Sequence, residues 1–428
     1  MLAVHSYPEK NSWKLLLQRP VIDNSSLEAS VSNILREVKW NGDEALRKFA
    51  SMFEKVTLTD LLVSTDDINK AEGLLPENLK QAIQQAKANI EKFHAAQLQT
   101  ENAVETMPGV KCWRKAVAIE KVGLYIPGGT ASLFSTILML GIPAKIAECK
   151  EIIVCTPTNK HGFVNDAILY AAKLVGVTKI FKVGGAQAIG AMSYGTSTIP
   201  KVYKIFGPGN QYVTAAKMLV QRDGVAIDMP AGPSEVAVLA DDTAKASFVA
   251  ADLLSQAEHG ADSQVVLVTT SETLAIETER EVVKQLNELP RHDLAVQALS
   301  CSKIIIVKTL KEGIDLINEY APEHLIISCR DDEKVAEQII NAGSVFLGNY
   351  SPESAGDYAT GTNHTLPTNG YAKAYSGVSV DSFVKKITFQ KLSKEGLKEI
   401  GRTVELMAEA EGLEAHKKAV SIRIGDRG

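Results

Sequence analysis

Several things this 428-residue chain lacks narrow its reading at once. No apolar run approaches the roughly 18 residues that suggest a membrane-spanning helix. Charged residues make up 23% and the net charge is −5, with no basic stripe and no polybasic helix. Neither nucleic acid nor an anionic membrane is therefore expected as a partner. The five cysteines (Cys112, Cys149, Cys155, Cys301, Cys329) are scattered, odd in number and without a CxxC pair. Such a set reads as apolar thiols in a reducing compartment, not as a disulfide framework or a thiolate metal site. The opening "MLAVHSYPEKNSWKLLLQRP" has no basic stretch followed by an apolar one, so no secretory leader and a cytoplasmic location are expected. There is no HExxH, no GxSxG elbow and no GxGxxG fingerprint.

What is present is a strong alternation of elements. Up to about residue 100 the apolar spacing is helical, as in "SLEASVSNILREVKWNGDEALRKFASMF" and "LPENLKQAIQQAKANIEKFHAAQ". Short β-rich runs then follow, each ending in Gly or Pro: "KVGLYIPGG", "EIIVCTPT", "TKIFKVGG", "VYKIFGPGN" and "GVAIDMP". A second series comprises "SEVAVLAD", "SQVVLVTT", "KIIIVKT", "EHLIIS" and "GSVFLG". Helical patterns lie between the runs, which predicts α/β units with parallel sheets covered on both faces. From about Asp381 the pattern returns to helix. The two series are compatible with a distant duplication.

Seven stretches carry candidate chemistry. The turns "PGG" (127–129), "VGGAQ" (183–187) and "GPGN" (207–210) each follow a strand, where glycine lets backbone approach an anion. "DLLSQAEHGADSQ" places Gln256 and His259 three apart near the end of a predicted helix, with Gly260 as its C-cap. "YAPEHLIIS" sets Glu323 and His324 together where a strand begins after Pro322. "SPESAGDYATGTNHTLPT" reads as a long functional loop holding Asp357. "AEAEGLEAHKKAV" puts Glu411 and His416 on a helix. Each has a plainer reading: a turn, a structural histidine, an Asx turn, a solvated charged face. Residue chemistry alone stops at an α/β enzyme with scattered Gln, His, Asp and Glu, compatible with a metal plus a nucleotide.

The ordered series goes further. "VGLYIPGG", "KVGGAQAIGA", "KIFGPGNQYVTAAK", "IDMPAGPSEV", "DLLSQAEHG", "APEHLII", "SAGDYATGTNHTLPT" and "EAHKKAV", in that order and over essentially the whole length, resemble the histidinol dehydrogenases. The resemblance implies a zinc-dependent homodimer of histidine biosynthesis. It would oxidise L-histidinol through L-histidinaldehyde to L-histidine and reduce two NAD⁺. It implies zinc ligands at Gln256, His259, Asp357 and His416, the last from the partner subunit, with one zinc per subunit. Acid–base catalysis would fall to Glu323 and His324. Substrate contacts would also involve Ser234 and Glu411, and NAD contacts Tyr125, Gln187 and Asn210. The implied fold has two incomplete Rossmann-like parallel-sheet domains, one of 24–124 plus 234–380 with the catalytic residues, one of 125–233 for NAD. Helical segments at the two ends, 1–23 and 381–428, would serve dimerisation, and the active site would be shared between subunits. A zinc hydrolase using Glu323 to activate water and a non-catalytic nucleotide or metal binder are the rivals.

Overall fold

The structure, a computed structural model, describes residues 2–19, 24–98, 102–128 and 133–425. The chain divides into two compact units, Met1–Ala96 with Glu120–Phe383, and Gln97–Ile119 with Val384–Gly428. Among the described residues no helix is long and apolar enough to cross a membrane.

The first unit holds two parallel sheets. Strands such as "EVAVLA", "QVVLVT" and "HLIIS" are buried at every position, as expected of strands covered on both faces. The six-stranded sheet runs Ala3–Ser6, Lys303–Ile306, Gln264–Thr269, Glu235–Ala240, His324–Ser328, Ser344–Leu347. Alternate residues feed two separate cores. Val236, Val238, Val265 and Leu267 pack on one face. Ala237, Leu239, Val266 and Val268 pack on the other, covered by Trp13, Leu16 and Leu17. The five-stranded sheet runs Lys179–Lys182, Glu151–Thr156, Lys121–Tyr125, Lys204–Phe206, Ala226–Ile227. Setting aside the edge strand Ala3–Ser6, both sheets have the same order: third, second, first, fourth, fifth in sequence. That is the order of doubly wound folds, with a topological switch between the first and fourth strands.

The second unit is a three-stranded antiparallel sheet, Val384–Leu392, Val110–Ala118 and Val104–Met107. Helices Lys394–Ala410 and Glu414–Gly425 pair across Gly401, where a Cβ would strike Ile424. Two expectations need amending. The N-terminal hundred residues are not all helical, since Ala3–Ser6 adds an edge strand. The tail does not turn helical at Asp381 either, because "VKKITFQKL" first pairs along Val110–Ala118. Its face is mostly exposed and lysine-rich, so it lacks the apolar run by which the other strands were read.

Candidate active site

Glu323 and His324 lie at the amino end of their strand, not the carboxyl end where open α/β sheets usually bind ligands. Helix Leu310–Tyr320 ends at Ala321, whose left-handed backbone (φ 52°) turns the chain into Pro322. Both side chains are then buried, at 6% and 3% exposure. Glu235, the first residue of the neighbouring strand, holds both through its backbone. Its N–H donates to Glu323 Oε2 at 2.8 Å, and its carbonyl lies 3.1 Å from His324 Nδ1. A carbonyl only accepts, so Nδ1 carries a proton in this arrangement. The other ring nitrogen, Nε2, faces Asp357 Oδ1 at 3.5 Å and Glu353 Oε1 at 4.0 Å.

The metal-ligand candidates surround this pair, with corrections of detail. Gln256 is on helix Ala246–Ala257, but Glu258 caps that helix, so His259 lies just beyond it and Gly260 is not the cap. The two remain adjacent, Gln256 Nε2 and His259 Nδ1 being 3.4 Å apart. Asp357 is not in a loop: Glu353–Tyr358 is a short helix. Glu353, one turn before Asp357, was not singled out by sequence reasoning, although an i, i+4 carboxylate pair was the available signal. It accepts from Ser255 Oγ at 2.9 Å, tying the short helix to the one bearing Gln256. His364 was missed too; its Nδ1 lies 3.0 Å from the Asp357 carbonyl and its Nε2 3.1 Å from Thr136 Oγ1.

Burial and neighbouring charges pull against each other on these acids and bases. Burial pushes Glu323 up to about 8, against the pull of His324. Burial raises Glu353 to about 7. Burial would pull the His324 imidazole down, but Glu323, Asp357 and Glu353 outweigh it and hold it at about 10. The nearby His324 charge outweighs burial at Asp357 and holds it at about 2. Among the described residues, three buried atoms of the cluster have no hydrogen-bond partner: Gln256 Oε1, His324 Nε2 and Asp357 Oδ1. Unpaired buried polar atoms are destabilising unless something is bound to them. The ligating atoms of His324, Glu353 and Asp357 also lie within 4.8 Å of one another. An oxygen- and nitrogen-rich donor set without thiolate fits a divalent cation. Glu411 and His416 belong to the second unit, where both are exposed, and are not among the residues gathered here.

A cavity of about 700 Å³ opens beside the cluster. Pro127, Gly128, Pro208 and Asn210 contribute from the carboxyl ends of the five-stranded sheet, and Ser234 and His259 from the other side. Glu323 and His324 are not in its wall. Asn210 caps helix Gln211–Arg222 through Oδ1, which accepts from the Tyr212 and Val213 N–H groups. In that turn Gly207 (φ 126°) has no room for a Cβ against the Tyr125 carbonyl. The "VGGAQ" turn differs. Gly185 N–H donates to Tyr125 Oη at 3.0 Å, and Glu54 accepts from Gly184 N–H at 3.3 Å and Thr158 N–H at 3.4 Å. Tyr125 and Gln187 are buried there, at 4% and 2% exposure. Burial pushes the Tyr125 phenol up to about 12. The "PGG" turn is described to Gly128; Gly129 lies outside the described residues.

Residues 17–424 match the family model for histidinol dehydrogenase. A histidinol dehydrogenase of Bacteroides thetaiotaomicron is 60% identical over 424 residues, covering 99% of each chain. One of Escherichia coli is 52% identical over 412 residues, covering 96% of this chain and 94% of that one. The crystal structure of histidinol dehydrogenase from Elizabethkingia anophelis superposes with a TM-score of 0.97 at 56% identity, covering 99% of this chain and 98% of that one. The buried acid–base cluster thus sits within a sequence and a backbone shared end to end with these enzymes, and the chain belongs to the histidinol dehydrogenase family, whose members act in histidine biosynthesis.

Proposed function

We propose that the chain oxidises L-histidinol through L-histidinaldehyde to L-histidine, reducing two NAD⁺, as a cytoplasmic zinc-dependent homodimer. The observation that carries this reading is the Glu323–His324 pair, held by one residue's backbone beside unpaired Gln256 and Asp357 oxygens. Two successive oxidations at one carbon need a base for the alcohol proton and a base for water, and the pair supplies both. His324 Nε2 would take the hydroxyl proton, and bound NAD⁺ would supply the acceptor for the carbinol hydride. Glu323 would then take a proton from water as it adds to the aldehyde, and in the second oxidation His324 would take the hydrate's hydroxyl proton while a second NAD⁺ would supply the hydride acceptor. The raised Glu323 pKa suits a base near neutrality.

Gln256, His259 and Asp357 would hold zinc, with His416 from a second copy. When bound, the ion orients the substrate and offsets the carboxylate charge that keeps His324 protonated. Ser234 lines the cavity where the substrate's polar end would lie, and Glu411 of a second copy would complete that contact. Asn210 would meet NAD⁺ at the cavity, and Tyr125 and Gln187 only after Glu54 leaves the Gly184 N–H. Residues 24–124 with 234–380 would form the catalytic domain, 125–233 the NAD domain, and 1–23 and 381–428 the dimer contacts. The decisive measurement is NADH formed per histidinol consumed. Two are expected; none, with histidinol intact, would leave a hydrolase or a binding protein. Mixing His324→Ala with His416→Asn protomers tests the shared site. One intact site per heterodimer should restore activity, and a site built within one chain would restore none.

A further inference from the structure

We propose that Arg19 is a positioning residue for the Glu323–His324 pair, acting from the N-terminal segment through Glu235. The inference rests on the catalytic roles proposed above for that pair. Arg19 grips the two pieces of backbone from which the pair hangs. On one side its Nε and one terminal nitrogen form a fork on the Glu235 carboxylate, at 2.5 and 2.8 Å. Glu235 is 2% exposed, and its own N–H and carbonyl hold Glu323 and His324. On the other side the same terminal nitrogen donates to the carbonyls of Tyr320 at 2.8 Å and Ala321 at 3.4 Å. These are the last carbonyls before the Pro322–Glu323–His324 corner. Ala321 is in the left-handed region, which a side-chain-bearing residue keeps only when its surroundings enforce it. The guanidinium also lies over the Tyr320 ring, 4.1 Å from its centre.

A buried ion pair of this kind is weak evidence of net stabilisation. Its geometry is better explained by what it orients. The bidentate fork fixes the Glu235 side chain in rotation as well as position, and a third bond fixes the helix end. Asn369 N–H donates at 2.7 Å to Glu235 Oε1, the oxygen that Arg19 Nε also binds, closing the remaining freedom of the carboxylate. Shifting the Glu235 backbone would move a Glu323 oxygen and reorient the His324 ring together, because both bonds come from one residue. Misplacing catalytic groups by about 1 Å can reduce rate about 10²-fold.

The test uses the full-length, zinc-loaded enzyme. Arg19→Lys keeps the charge and loses the fork; Arg19→Met keeps much of the stem and loses both. Activity is expressed per folded molecule, measured by circular dichroism and thermal melting. In Arg19→Lys, kcat should fall about tenfold, with KM for histidinol within twofold and zinc content unchanged, and the pH at half-maximal kcat should move. Arg19→Met should fall further, and if it does not fold the lysine variant decides. A merely structural role would lower the melting temperature and leave kcat per folded molecule and the pH profile where they were; that result overturns the inference. Glu323→Gln and His324→Ala serve as references. If they lose activity and the Arg19 variants do not, only the positioning role fails. If they retain parental activity, the catalytic reading fails and this inference with it.

Discussion

The two parallel sheets share a strand order and use opposite ends. In the five-stranded sheet the carboxyl ends at the switch, Pro127–Gly128 and Pro208–Asn210, face the cavity. In the six-stranded sheet the carboxyl ends at the same switch are closed. Asp241 accepts there from the N–H groups of Arg330 at 2.9 Å and Thr243 at 2.9 Å. The acid–base pair sits instead at the amino ends, where His324 lies across from Val236. The difference is one of chemistry. Carboxyl ends followed by glycine turns offer backbone N–H groups and suit an anionic ligand. Amino ends here offer side chains whose direction is set by the ladder and whose partners are the backbone of the next strand. One strand order thus supports two kinds of site, and topology alone does not say which.

The largest expected effect lies at the amino ends. His324→Ala should lower kcat for histidinol by about 10²–10⁴-fold, the usual range for loss of a general base. Glu323→Gln should slow histidinal oxidation more than it slows the alcohol step, and parental turnover of histidinal by that variant would contradict the role given to Glu323. Next comes the unpaired oxygen of Gln256. Gln256→Leu should reduce zinc content and erase most of the zinc-dependent rise in melting temperature. For a ligand at a hundred times its Kd that rise corresponds to about 2.7 kcal/mol. The metal-free variant should melt no lower than the metal-free parent, since an unsatisfied buried acceptor has been removed. A clear drop would mean Gln256 Oε1 has a structural partner.

At the carboxyl ends the effects should be smaller. Asn210→Ala removes the cap of helix Gln211–Arg222 and should cost about 1 kcal/mol. Asn210→Asp keeps a capping oxygen but adds negative charge at the cavity. It should keep the melting temperature and weaken NAD⁺ binding several-fold by calorimetry; unchanged affinity would remove the dinucleotide from this end of the sheet.

The smallest effect concerns Asp252, on the helix that carries Gln256. Burial raises its carboxyl to about 7. A folded pKa above the unfolded one gives stability that is fully present below about pH 4 and lost as pH rises through about 7. Asp252→Asn should therefore raise the melting temperature at pH 8, with the gain shrinking toward pH 4. A pH-independent difference would mean that this carboxyl is not burdened by burial.

Much of this was legible in the residues. Runs such as "EVAVLA" and "QVVLVT" are too apolar for half-exposed strands, and their burial on both faces followed. The adjacency of Gln256 and His259, and of Glu323 and His324, is built into the chain. Other features were not legible. "VKKITFQKL" pairs as a strand although five of its nine residues are polar or charged. "ESAGDY", in which Ser, Gly, Asp and Tyr have weak helix preference, becomes helical where Ser255 binds Glu353.

By itself the sequence determined the two kinds of local chemistry: glycine turns that expose N–H groups, and short clusters of nitrogen and oxygen side chains. It did so because glycine freedom, strand patterning and residue type are properties of neighbours in the chain. Only the tertiary structure decided that Glu54 and Tyr125 occupy the "VGGAQ" turn. It alone brought Asp357 to His324, and placed Arg19 and Glu235 behind the Glu323–His324 pair across 216 residues. Those contacts depend on which sheet edges and helix ends are stacked together, and backbone groups such as the Glu235 N–H and carbonyl are the same in every residue until the fold selects them.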